Sequence, residues 1–164
     1  MLGRGASTQP GVVVVTGAST GIGKASALML TRLGHVVYAG VRRAEHGEEL
    51  VREAGPGAKL HPLILDVTDH EHVAGAAERV RAELNGLPFT GVVNNAGIAV
   101  AAPLEFLPVD DLRDQFEVNV IGQVVLAQAF MPLLRERPGR LVFVGSVSGL
   151  IASRLLGAYA ASKF

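Results

Sequence analysis

Short apolar runs alternate with helical patterns along this chain. Val12-Val-Val-Val-Thr16, His35–Val41, Leu60–Leu65, Gly91–Asn94 and Arg140–Gly145 are nearly unbroken stretches of small and branched residues. Such runs suit strands buried on both faces. Helical patterns fill the gaps, over Ile22–Leu33, Ala44–Ala54 and a segment reaching Leu84. Gly34 stands where a left-handed helix end is wanted, and Gly55-Pro-Gly57 stops the second helix. Thr68-Asp-His-Glu71 has the spacing of a capping box. A longer helix opens at Asp110 or Asp111. Its Leu112, Phe116, Val120 and Val124 recur every four residues and form one stripe. Pro132 is expected to bend or shorten that helix near its end. A last helix begins at Ala158 and runs to Phe164.

Strands alternating with helices predict an α/β fold. The expected form is a three-layer, Rossmann-like, doubly wound parallel sheet with about five strands, residues 1–164 forming one domain. Helices should cover both sheet faces. Composition agrees: 49% of residues are hydrophobic, only 5% are aromatic and Trp is absent. Lys plus Arg and Asp plus Glu number 15 each, so no electrostatic footprint for nucleic acid or an anionic membrane is expected. No cysteine occurs, which excludes disulfides and thiolate metal sites and fits a cytoplasmic protein. Met1–Gly11 lacks the apolar core of a secretory signal, and its first ten residues are expected to form a frayed tail. The longest apolar runs, such as Val12–Val15, fall well short of the ~20 residues of a membrane span.

Thr16-Gly-Ala-Ser-Thr-Gly-Ile-Gly23 joins the first strand to the first helix. Strand, glycine turn and helix together suit a pyrophosphate. The glycines let the backbone approach, and the helix start presents N–H donors and positive dipole. Ser19 and Thr20 can add hydroxyl donors. Gly17, Gly21 and Gly23 are spaced G-x-x-x-G-x-G rather than G-x-G-x-x-G.

That variant resembles the short-chain dehydrogenase/reductase family, whose pattern is T-G-x-x-x-G-x-G. The resemblance continues through Asp66-Val67, Asn94-Asn-Ala-Gly97, Asn119, Ser146 and Tyr159-Ala-Ala-Ser-Lys163, in the family's order. It implies a nicotinamide-dependent oxidoreductase. Cofactor contacts would come from Gly17, Ser19, Thr20, Gly21, Ile22, Gly23, Asp66, Val67, Asn95, Ala96, Gly97, Tyr159 and Lys163. Asp66 would touch the adenine, beside Val67, and could also serve the turn. Asn94 would brace the sheet. An NAD site usually places an acid at the end of the second strand. Here Val41 holds that place and Arg42-Arg43 follow. A guanidinium suits a 2′-phosphate, so NADP(H) is preferred over NAD(H), with Arg42 the better candidate.

The resemblance assigns catalysis to Asn119, Ser146, Tyr159 and Lys163. Tyr159 and Lys163 are four apart and share a helix face. Ketone reduction needs a proton at oxygen as well as hydride at carbon. Free tyrosine titrates near ~10, too high for easy proton exchange at neutrality. An ammonium about 4 Å away, at an effective dielectric of ~20, favours phenolate by ~4 kcal/mol. Ser146 would hold the carbonyl oxygen, and Asn119 would hold a water for proton relay. Ser148 fits the family interval less well and is read as loop bonding. His70 and His72 point apart on a helix start, and His35, His46 and His61 show no partner pattern, so no metal is assigned.

The sequence ends one residue after Lys163, whereas the family continues with two strands and a substrate lid. The chain therefore reads as the C-terminally truncated, N-terminal portion of such an enzyme, inactive alone, its full-length form a homo-oligomer. The alternative is an inactive dinucleotide-binding or interaction module. Gly145-Ser-Val-Ser-Gly149 and the Tyr-Ala-Ala-Ser-Lys-Phe ending look similar to steroid and retinol dehydrogenases. They imply a small hydrophobic alcohol or ketone as substrate.

Overall fold

The computed structural model describes residues 10–164. The expected frayed tail falls, apart from Pro10, outside the described residues. Five strands alternate with helices in the order β1 (Val12–Val15), α1 (Gly21–Arg32), β2 (Val36–Val41), α2 (Ala44–Ala54), β3 (Leu60–Ile64), α3 (His70–Ala82) and β4 (Phe89–Asn94). There follow a 3₁₀ turn (Leu104–Phe106), α4 (Val109–Phe116), a π-helical turn (Glu117–Ile121), α5 (Gly122–Glu136) and β5 (Arg140–Phe143). A second 3₁₀ turn (Val147–Gly149) precedes α6 (Gly157–Lys163). The strands form one sheet in the order β3-β2-β1-β4-β5, every neighbouring pair parallel. The chain winds outward from β1 to β3, then crosses back to β4. The crevice beyond the carboxyl ends of β1 and β4 is thus the topological switch point.

The valines of β1 alternate between two cores. Val13 and Val15 pack with Ala27 and Leu28 of α1 and Leu50 of α2. Val12 and Val14 pack with Val73 and Val80 of α3 and Leu126, Phe130 and Leu133 of α5. Helices cover both faces, as the βαβ pattern requires. Each buried Val, Leu or Phe contributes about 1.5–3 kcal/mol. Helix α1 ends as expected: Gly34 has φ +90°, and the N–H groups of Gly34 and His35 bond the carbonyls of Thr31 and Leu30.

Several local expectations change. Strand β4 begins two residues early, because Phe89 is buried and stacks on Phe130 with centroids 5.6 Å apart. Asp69, not Thr68, caps α3, its carboxylate accepting from the N–H groups of Glu71 and His72. Thr68 instead donates to Asp66. Pro132 does not shorten α5, which runs on to Glu136 with Phe130 and Leu133 buried on either side.

The largest correction concerns the long helix. It starts at Val109, and its α-helical bonding is interrupted at Glu117–Ile121. The expected apolar stripe is not its inner face: Leu112, Phe116 and Val120 are half-buried and Val124 is 47% exposed. Gln115, Asn119 and Gln123 are buried instead. Opposite them runs the loop after β4, whose backbone groups need partners that leucine or valine cannot supply. Val109–Glu136 is also long and apolar enough by composition to cross a membrane, a feature the count of short apolar runs missed. Here α5 packs on β4 and α3.

Candidate active site

Gly17 has φ +61° and Gly21 has φ +56°, which turns β1 into α1. A Cβ on Gly17 would stand 2.9 Å from the Ala96 Cα, and one on Gly23 would strike the Gly17 carbonyl. Gly21 faces open space. Thr20 is the N-cap of α1 but makes no capping bond, and the first turn carries no acid. The N–H groups at this helix start therefore have no side-chain acceptor, and the local potential is positive.

A cavity of about 540 Å³ opens from this turn. It is lined by Gly17, Ser19 and Thr20; by Gly40, Val41, Arg42, Arg43 and His46; by Leu65, Asp66 and Val67; and by Ala96, Gly97, Ile98 and Val118. The expected cofactor residues from the ends of β1 to β4 thus meet around one space, except Gly21, Ile22, Gly23 and Asn95, which do not line it. Ile22 is 65% exposed on the first turn of α1. Asp66 turns one carboxylate oxygen to the N–H and hydroxyl of Thr68, at 3.0 and 2.8 Å.

The two asparagines at the carboxyl end of β4 play different parts. Asn95 does the bracing: its amide donates to the carbonyls of Thr16 and Gly17 at 2.9 and 3.2 Å. The Thr16 hydroxyl accepts from the N–H groups of Asn95 and Ala96, both at 3.0 Å. Asn94 is buried, and among the described residues its side-chain amide has no partner, nor has Gln123 Oε1.

Asn119 sits in the π-helical turn, 7% exposed. Its Oδ1 accepts from the Ile98 N–H, and its Nδ2 donates to the Ile98 carbonyl and to Ser162 Oγ, each at 2.9 Å. It therefore ties α6 to the loop after β4. Lys163 Nζ donates to the Val144 carbonyl at 3.1 Å and stands 5.9 Å from the centroid of the Tyr159 ring. Ser146 accepts from the Ser148 N–H at 3.1 Å, opening the turn that packs on α6. Ser148 is buried. Gly97 joins the two halves. It lines the cavity, and a Cβ on it would lie 3.2 Å from Asn119 Oδ1 and 3.8 Å from Lys163 Nζ.

Residues 11–164 match the family described as short chain dehydrogenase. The chain belongs to this family. It is 36% identical over 152 residues to the 3-amino-tetrahydro-pyrrolizinone reductase of Xenorhabdus hominickii, covering 93% of this chain and 51% of that protein. It is 35% identical to mouse retinol dehydrogenase 5, covering 93% of this chain and 47% of that protein. The chain thus spans about half the length of these relatives. Among solved structures, it resembles a gluconate 5-dehydrogenase from Burkholderia cenocepacia J2315 in complex with NADP and tartrate. The TM-score is 0.83 and the identity 29%, over 93% of this chain and 60% of that one.

Sequence reasoning missed Thr16, Gln115, Gln123 and Ser162. Gln115 bonds the N–H of Val100 and the carbonyl of Ile98, and Gln123 bonds the carbonyl of Ala96. The available signal was three amides spaced by four along one helix. The histidines also find partners: His35 meets the Gly11 backbone, His61 stacks on Tyr38 and His46 bonds Arg43. His72 faces Asp69 at 3.5 Å. Among the described residues no cluster could hold a metal.

Proposed function

We propose that this chain carries the cofactor cleft and proton-transfer residues of an NADP(H)-dependent oxidoreductase that interconverts a ketone and a secondary alcohol. The observation that carries this reading is Gly97, which lines the cavity and stands against Asn119 and Lys163. The residues present fit a dinucleotide. The uncapped start of α1 and the open Gly21 suit the pyrophosphate, with Ser19 and Thr20 beside it. Asp66 and Val67 suit the adenine. Arg42 and Arg43, with no acid at the end of β2, suit a 2′-phosphate. Ala96 and Gly97 line the far end of the cleft. NADP(H), when bound, supplies or accepts the hydride.

The protein's own part is binding, orientation and the proton. Tyr159 gives a proton to the carbonyl oxygen in reduction and removes it in oxidation. Lys163 places positive charge 5.9 Å from the centroid of the Tyr159 ring. Ser146 donates to the substrate oxygen and orients it. Asn119 acts by holding Ser162, and with it α6, against the loop after β4.

The substrate is a small hydrophobic alcohol or ketone. Leu150, Ile151 and Leu155, in the segment between Ser146 and Tyr159, are 81%, 64% and 54% exposed. The Ala102 N–H bonds the Leu155 carbonyl and draws the loop after β4 alongside. The same exposed residues leave the reacting site open to water, so the chain alone binds cofactor without turnover. The full-length form is a cytoplasmic homo-oligomer, a reading supported by the lack of cysteine and by exposed Ile121 and Val124 on the long helix. The deciding experiment compares NADPH and NADH affinity on this chain, then assays ketone reduction by the full-length protein with and without Tyr159→Phe. Equal affinity for both cofactors refutes the NADP assignment. Undiminished reduction by Tyr159→Phe refutes the catalytic one.

A further inference from the structure

The cationic end of the cavity contains a third group. His46, on the first turn of α2, lines the cavity with Arg42 and Arg43. Arg43 Nη2 donates to His46 Nε2 at 2.7 Å. A guanidinium has no acceptor, so Nε2 is the bare nitrogen of a neutral imidazole and the proton lies on Nδ1. Helix α2 cannot easily shift this group: a Cβ on the next residue, Gly47, would stand 2.6 Å from Pro62 Cβ in β3.

The charged groups around His46 come from several elements. Arg42 and Arg43 follow β2, Glu45 and Glu49 share its helix, Lys24 reaches that helix from α1, and Asp66 follows β3. Glu49 is held by Lys24 at 3.2 Å, and Lys24 also binds Glu53 at 2.6 Å. Asp66 is engaged with Thr68. Among the described residues no carboxylate pairs with Arg42, Arg43 or His46. Arg43, the N-cap of α2, makes no side-chain capping bond either. An anion is the missing partner of all these donors.

We propose that His46 is a specificity-determining residue that holds Arg43 while neutral and takes up one proton when a 2′-phosphate binds between them. The inference rests on the assignment of Arg42 and Arg43 to that phosphate. Phosphate oxygens only accept hydrogen bonds. A phosphate can accept from His46 Nε2 only if Nε2 carries a proton, and with the Nδ1 proton retained the ring is then an imidazolium whose charge the anion favours. That proton comes from solvent, and no other covalent bond forms or breaks. Histidine is the side chain suited to such an exchange near neutrality. The phosphate's own second ionisation, near pH ~6, acts in the opposite direction. The diagnostic is therefore the difference between the wild type and a variant that cannot titrate.

The test is calorimetric titration of the chain with adenosine 2′,5′-bisphosphate and with 5′-AMP, from pH 6.5 to 8.5. Buffers of different ionisation enthalpy report proton uptake. Wild type, His46→Gln and Arg42→Ala are compared. Bisphosphate binding by the wild type should tighten as pH falls, gaining about tenfold over His46→Gln, the change that one unit of differential protonation carries. It should also take up more protons than His46→Gln, and 5′-AMP should show neither effect. Identical pH profiles and proton uptake in wild type and His46→Gln, with bisphosphate preference lost in Arg42→Ala, overturn the role of His46 alone. Equal affinity for the two nucleotides at every pH overturns the 2′-phosphate assignment as well.

Discussion

Replacing Asn119 with alanine removes the tie between α6 and the loop after β4. Three hydrogen bonds disappear, two at Ile98 and one at Ser162. Their loss is unequal. The Ile98 carbonyl keeps Gln115 as a donor, and the Ser162 hydroxyl still donates to the Tyr159 carbonyl. The Ile98 N–H keeps no protein partner, and Asn119 is 7% exposed, so that group is left unsatisfied in a nearly dry site. One such orphan costs about 1–3 kcal/mol, and each of the other two bonds about 0.5–1.5 kcal/mol net. Asn119→Ala should therefore cost about 2–6 kcal/mol in urea unfolding, with an unchanged m-value. Ser162→Ala removes one of the three bonds together with the Ser162–Tyr159 bond, and should cost about 1–3 kcal/mol. In a double-mutant cycle the pair should couple by about 0.5–1.5 kcal/mol. Amide exchange at Tyr159–Phe164 should accelerate in both variants, because the tie to α6 is lost. A loss under 1 kcal/mol in Asn119→Ala, or no coupling with Ser162, would refute the assignment of Asn119 as the tether.

Other outcomes follow from single contacts. Arg42→Asp should weaken NADPH binding by roughly 10–100-fold, the loss of one charge-assisted bond, and leave NADH nearly unchanged in fluorescence titration; a constant ratio counts against the 2′-phosphate site. Gly17→Ala forces a side chain into left-handed backbone and against the Ala96 Cα, so it should cost about 2 kcal/mol or more and lower dinucleotide affinity at least about tenfold; wild-type affinity sinks the pyrophosphate turn. Tyr38, 1% exposed, donates to Glu83 Oε2 at 2.7 Å. Burial, then the hydrogen bond to Glu83, push its phenol up to about 12 from 10.0, while the Tyr38 bond, then Arg79, hold Glu83 below its ordinary 4.5. The raised phenol stabilises the fold fully below pH 10 and is lost as pH rises through about 12; the lowered carboxylate stabilises above 4.5 and is lost as pH falls below it. Tyr38→Phe should cost about 1 kcal/mol at neutrality, a value discounted for the exposure of Glu83. The gap between wild type and variant should close at both extremes in pH-dependent urea unfolding; a constant gap refutes the pair.

The sheet and most of the lining of the cavity beyond its strand ends were legible in the linear pattern, because both depend on local rules. Val12–Val15 needs only to be apolar and branched to become a doubly buried strand. Gly17 and Gly34 need only to be glycines where the backbone takes positive φ. Arg42 lines the cavity because it follows β2 directly, and Tyr159 and Lys163 share a face because four residues make about one turn. The long helix behaved otherwise. Its spacing by four was correct, yet Leu112, Phe116 and Val120 ended only half-buried and Val124 exposed, while Gln115, Asn119 and Gln123 turned inward. Periodicity finds a stripe but not what the stripe will face. That depends on the loop after β4, whose unpaired N–H and carbonyl groups came within reach only when strands far apart in sequence lined up. The bracing by Asn95, the tether from Asn119 to Ser162 and the meeting of Arg43 with His46 were decided in the same way. Each satisfies a polar group whose position the chain acquires only on folding.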